Sequence, residues 1–128
     1  MAGSRVTESK LYSIREANEL LVFLAPAMVE LREKYERAAR IKDRMDRAAV
    51  SNGGSEKKAE WTRVLARVDE LFDKLRSWEI EVKDIETGLV DFPTMMDGRP
   101  AYLCWRLGEE SVRYWHFPEE GFAGRKPL

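Results

Sequence analysis

The sequence predicts an α+β fold, with a long antiparallel two-helix coiled-coil hairpin and a small three-stranded antiparallel β-meander packed at its base. Three observations predict it. Two stretches, 13–50 and 55–86, carry apolar residues at heptad spacing. The break Ser51-Asn52-Gly53-Gly54-Ser55 separates them. After Gly88 the apolar period drops to two, as strands require.

The first helix opens on a capping box, in which Ser13 is followed three residues later by Glu16 and preceded by Tyr12 as a hydrophobic staple. One seam set is Leu21, Met28, Tyr35, Lys42 and Ala49; the other is Leu24, Leu31, Ala38 and Met45. Pro26 falls inside this pattern without changing its phase, which predicts a kink rather than a stop. The second helix, N-capped by Ser55, carries Trp61, Val68, Leu75 and Val82, together with Val64, Leu71, Trp78 and Ile85. Folding the chain back about Gly53 sets Met45 against Trp61, Ala38 against Val68, Tyr35 against Leu71 and Leu31 against Leu75. Further down, Met28 meets Trp78, Leu24 meets Val82 and Leu21 meets Ile85. Lys42 with Val64 is the one unmatched layer, where Ile41 can fill in. At 1.5 Å per residue the arms span ~45–55 Å. Near the base, residues 20–29 are apolar around most of the circumference and need a cover.

The C-terminal segment is the available cover. Asp97-Gly98 signals a two-residue type I′ hairpin turn. The strands are then about Leu89–Thr94, Ala101–Leu107 and Val112–Phe117, with a further turn at Gly108 and a docked tail over 119–128. Lys10–Tyr12 can add a short extra strand. Cross-strand partners share a face. One face collects Val90, Phe92, Leu103, Trp105, Val112, Tyr114 and His116, apolar enough to lie on the helices. The other collects Leu89, Asp91, Tyr102, Cys104, Arg106, Arg113 and Trp115, and is expected to look outward.

At 128 residues the chain reads as a single domain with a sizeable core. Its 22 basic and 23 acidic side chains nearly cancel, so no global charge draws it to nucleic acid or anionic lipid. A lone cysteine forms no internal disulfide, residues 1–10 lack a signal-peptide core, and the apolar run 20–29 is shorter than the roughly 20 residues of a bilayer span. A cytoplasmic location with no membrane contact is the expectation.

The segments "LYSIREANELL" and, above all, "IETGLVDFP…DGRPAYLCWRLGEESVRYWHFPEEGFAGRKPL" resemble the bacterial and archaeal domain of unknown function 2203 family. The resemblance covers nearly the whole chain, most specifically Glu86–Pro93 and Tyr102–Leu128. It implies a fold and a prokaryotic cytosolic source, carries over no catalytic residue, and makes 119–128 part of the family motif.

Among candidate chemistries, one His and one Cys fall short of a four-ligand Cys/His zinc site. The metal candidates are His116 with Glu119 or Glu120, against a His satisfied at the edge of the core. In the assigned register Cys104 and His116 face opposite sides of the sheet, which excludes a Cys–His nucleophile and leaves Cys104 as a packed side chain. No catalytic residue, cofactor or metal is assigned. The outer face offers Asp91, Tyr102, Arg106, Arg113 and Trp115, joined by Arg125 of the tail, as a ligand- or partner-binding set. Guanidinium forks and aromatic planes there suit a small anionic ligand or an unidentified protein. Arg37, Arg40, Arg44 and Arg47 form a basic stripe that suits RNA or a ribosomal surface, but Glu33–Arg37, Glu36–Arg40 and Asp43–Arg47 at i,i+4 spacing read as a solvated face. The leading expectation is a non-enzymatic interaction or scaffold module that forms a homodimer through Leu20, Phe23, Leu65 and Phe72. A small-ligand-binding or metal-binding protein, or an enzyme using the C-terminal sheet face, is the alternative.

Overall fold

The computed structural model describes residues 10–47 and 54–128. Helix α1 spans Ile14–Arg47 and runs unbroken through Pro26, and helix α2 spans Gly54–Ser77. The expected turn at Ser51-Asn52-Gly53 and the seam position Ala49 lie outside the described residues. Ser55 is already inside α2 rather than capping it.

The start of α1 follows its sequence signal. The Ser13 hydroxyl accepts from the Glu16 N–H at 3.0 Å, and the Glu16 carboxylate accepts from the Ser13 N–H at 3.0 Å. Tyr12 does more than staple this turn. Its N–H donates to the Pro93 carbonyl at 2.7 Å, and its hydroxyl donates to the Trp78 carbonyl at 2.7 Å. Its ring packs edge-on against Phe92 at 5.2 Å. The Lys10–Tyr12 segment thus fastens the entry of α1 to the sheet and to the end of α2.

The helices pack antiparallel, since Arg37 reaches Glu60 at 2.6 Å while Arg67, further along α2, reaches back to Glu30 at 2.7 Å. Leu24, Met28, Leu31 and Ala38 of α1 are buried with Val64, Val68, Leu71 and Leu75 of α2. Tyr35, assigned to the seam, is 46% exposed, and Ile41 is 3% exposed, so Ile41 fills the layer that Lys42 cannot.

α2 ends at Ser77, not near Glu86. The Glu79 N–H bonds to the Arg76 carbonyl and the Ile80 N–H to the Leu75 carbonyl, with Glu79 at φ 57°. This is a Schellman stop, completed by contact of the buried Leu75 and Ile80. The usual glycine is replaced by Glu79, whose carboxylate accepts the Lys10 N–H at 2.9 Å. Trp78, Val82 and Ile85 therefore leave the helical seam, and Leu24, Leu21 and Met28 do not meet them as helical layers.

The chain continues directly into strand β1 (Glu81–Asp84), then β2 (Leu89–Met96), β3 (Arg99–Arg106), β4 (Tyr114–His116) and β5 (Lys126–Pro127). They form one antiparallel meander in the order β1-β2-β3-β4-β5, with five strands in place of the expected three. The β2–β3 hairpin turns at Asp97-Gly98, both at positive φ. Gly88 also needs to be glycine, because at φ 70° a Cβ there would lie 2.5 Å from the Leu107 Cβ. The inner face of the sheet buries Val90, Phe92, Leu103 and Trp105 against the helices and makes the main core with them. No helix among the described residues is long and apolar enough to cross a membrane.

Candidate functional site

The β2–β3 register pairs Val90 with Trp105, Asp91 with Cys104 and Phe92 with Leu103. Asp91 and Cys104 therefore share the face turned away from the helices, as their alternation requires. The next hairpin departs from expectation. Tyr102 pairs with His116, Leu103 with Trp115 and Cys104 with Tyr114. Each β4 side chain is thus flipped relative to the sequence assignment, since a shift of one residue reverses every face. His116 and Tyr114 join Asp91 and Cys104 on the outer face, and Trp115 turns inward against the core.

The loop before β4 takes up the difference. The Glu109 N–H bonds to the Arg106 carbonyl, and the Trp105 indole N–H donates to the Glu109 carbonyl at 2.9 Å. Val112 is drawn inward, its N–H donating to the Asn18 side-chain oxygen at 2.7 Å. Its ladder bond goes to α1 rather than to β3, so an extra residue is absorbed before Tyr114.

The outer face is not open. The tail turns over it at Phe122–Gly124, and β5 then returns along β4. Arg125 clamps this turn. Its guanidinium lies 3.9 Å from the Tyr114 ring and 4.8 Å from the Phe122 ring, and it bonds Glu109 at 2.9 Å. Lys126 bonds Glu120 at 2.5 Å and lies 4.7 Å from the Trp115 ring.

Beneath this cover, Asp91, Cys104 and His116 are 1%, 1% and 3% exposed. One ligand atom from each lies within 4.8 Å of the others. They bound a cavity of about 250 Å³ whose other lining includes Lys83, Leu89, Gly121 and Phe122. His116 Nδ1 is 2.8 Å from the Phe117 carbonyl, an acceptor only, so Nδ1 carries the proton. Nε2 stands 3.1 and 3.0 Å from the two Asp91 oxygens. A neutral ring would then point a lone pair at a carboxylate, and two acceptors face each other this way only with a cation, proton or metal, between them.

Burial pushes the Asp91 carboxyl above its ordinary range, although the His116 contact pulls the other way. Burial, and then the Asp91 charge, push the Cys104 thiol up to about 12. Such a thiol is no nucleophile near neutrality. Nδ1 is held by the Phe117 carbonyl and Nε2 faces Asp91, so neither nitrogen is hydrogen-bonded to the thiol as a base. Cys104 and His116 nevertheless share the outer face, which corrects their assignment to opposite sides of the sheet.

The other expected site residues are dispersed. Tyr102 does not line the cavity, but its ring lies 5.6 Å from that of His116. Arg106 is exposed near the Phe122 ring at 5.8 Å. Arg113 is exposed and bonds Ser111 at 3.0 Å, so the two arginines do not converge on a ligand. Trp115 belongs to the inner face. Glu119 pairs with Arg99 and Glu120 with Lys126, so neither joins His116 as a ligand. Arg37 crosses to Glu60 rather than pairing with Glu33, and the Asp43–Arg47 pair forms at 3.0 Å. Sequence reasoning missed the grouping of Asp91 and Cys104 with His116. The available signal was Asp91 itself, an acid within the strand Leu89-Val90-Asp91-Phe92.

The family model described as uncharacterized conserved protein (DUF2203) matches residues 10–128, and the chain belongs to that family. No curated protein and no solved structure matches the chain.

Proposed function

We propose that this protein binds one divalent transition-metal ion of the zinc class through Asp91, Cys104 and His116. The observation that carries the reading is the meeting of His116 Nε2 with the Asp91 carboxylate while Nδ1–H is held by the Phe117 carbonyl. A ring oriented by a backbone carbonyl, with its other nitrogen aimed at anionic groups, is the usual setting of a metal-bound imidazole. The converging Cys104 adds a soft ligand that a metal deprotonates outright. Thiolate and carboxylate together cancel the charge of a divalent ion, which lets it sit in a buried place. Three protein ligands leave one coordination position for a water or a small ligand, as in zinc sites that do chemistry rather than hold structure.

The test is titration of chelator-treated protein with Co²⁺, followed by visible absorption. Thiolate-to-cobalt absorption with one equivalent bound is expected. Asp91→Asn, Cys104→Ser and His116→Gln should each weaken binding at least about 100-fold, with folding checked by circular dichroism. Wild-type protein that binds Co²⁺ no better than these folded variants removes the reading.

A second reading, an interaction module that self-associates through the helices, draws on Val22 and Phe23, which are 70% and 62% exposed on α1. Leu20, Leu65 and Phe72 are half-buried in the monomer and add less. Sedimentation of the wild type and Phe23→Ser tests it, and a wild-type monomer at every concentration rules it out.

A further inference from the structure

Resting on the metal reading, we infer that the open side of the Asp91–Cys104–His116 site receives a small monoanionic carboxylate, which Lys83 holds. The cavity beside the three residues measures about 250 Å³. That is below the roughly 300–1,000 Å³ of sites for drug-sized ligands, so a small molecule suits it. Its walls divide by chemistry. Leu89 and Phe122 are apolar, and Lys83 is the cation among the lining residues.

Charge decides the class of ligand. A divalent ion with one thiolate, one carboxylate and a neutral imidazole carries no net charge. One bound monoanion makes the assembly negative by one unit, which the Lys83 ammonium offsets. A dianion such as the doubly ionised form of inorganic phosphate leaves an unbalanced negative charge against Leu89 and Phe122, which burial penalises. The apolar walls suit the short hydrocarbon part of a carboxylic acid.

Lys83 is free to take this role. Its present partner is Glu81 at 3.1 Å, and the two side chains are 45% and 46% exposed. An ion pair so exposed to water is weak and exchanges readily for a better-shielded anion. The Lys83 ammonium also lies 5.9 Å from the Tyr102 ring, which stands 5.6 Å from that of His116, and Lys83 itself lines the cavity.

The experiment uses the full chain loaded with Co²⁺, titrated with acetate and separately with inorganic phosphate, and read by the visible spectrum of the metal. Acetate should change the spectrum saturably, and phosphate should do so more weakly at equal concentration. Lys83→Ala should weaken acetate about tenfold, the scale of one charge-assisted hydrogen bond, and leave Co²⁺ affinity essentially unchanged; Lys83→Arg should retain acetate binding. A cobalt protein that binds the metal but ignores acetate, prefers phosphate, or responds equally in Lys83→Ala overturns this inference and leaves metal binding standing. Absence of Co²⁺ binding overturns both at their common root.

Discussion

On the inner face of the sheet Val90, Phe92, Leu103 and Trp105 are buried by the helices, whereas on the outer face Asp91, Cys104 and His116 are buried under the chain's own tail beside a small cavity. The depth of burial is equal and its physics is opposite. The inner face is held by apolar area and close packing, which respond to lost volume. The outer face is held by partners, each of which leaves a buried polar group unsatisfied when removed. One sheet thus has a face that tolerates apolar replacement of similar size and a face that tolerates change of size better than change of charge.

The sharpest way to break this comparison is to cut volume from the inner face. Trp105→Ala should cost about 3–5 kcal/mol in chemical denaturation, the range for large aromatic side chains removed from a core. A cost below about 1 kcal/mol would mean that the helices do not depend on the sheet for their core.

On the outer face the next largest effect comes from Arg125→Ala. It removes a cation stacked on Tyr114 and Phe122 and leaves Glu109, 19% exposed, with only the Arg106 N–H as its partner. The expected cost is about 1–3 kcal/mol, visible as faster hydrogen exchange at the Leu128 amide, which bonds the Arg113 carbonyl at 2.8 Å. Uniform loss of protection across the helices would instead make the tail an integral part of the core.

Acid should reproduce part of that effect. Burial alone would raise the Glu109 carboxyl, but bonds from Arg125 and the Arg106 N–H outweigh it and hold the group below the usual carboxylate range. Its stabilising contribution is therefore complete above the unfolded value of roughly 4.3 and is lost as pH falls through the lower folded value. Protection of the Leu128 amide should drop in that window in the wild type and depend on pH less steeply in Arg125→Gln, where the Arg106 N–H bond remains.

The smallest effect tests the end of α2. Glu79→Gly relieves a side chain at φ 57° and forgoes one exposed bond to Lys10, for a net gain of up to about 1 kcal/mol in stability. A loss would mean that the Lys10 contact outweighs the backbone strain.

The same comparison explains what could be read from the sequence. The capping box at Ser13, the α2 seam from Val64 to Leu75, the Asp97-Gly98 turn and the inner-face set on β2 and β3 were all legible, because each depends on neighbours in the chain. The stop of α2 was not, since the residue in the left-handed position is Glu79 rather than glycine, and Val82 and Ile85 happen to continue the heptad. Tyr35 was misplaced because the stripe drifts to Ile41 along α1. The outer site was hidden by the parity of β4. In the structure the Val112 N–H bonds Asn18 of the first helix, and the register then sets His116 with Asp91 and Cys104. No local pattern around Gly108 distinguishes the two parities.

Every strand of the sheet pairs with its neighbour in sequence, and the two helices are likewise consecutive. Ties over long separations fall at the beginning of the described chain, where Lys10 bonds Glu79, Tyr12 bonds Trp78 and Pro93, and Asn18 bonds Val112. Such a chain has low contact order in each half, so the hairpin and the meander can each assemble quickly before they dock. The ties around Tyr12 and Asn18 instead join residues 66 to 94 positions apart, so they carry the largest loop-closure cost among these contacts.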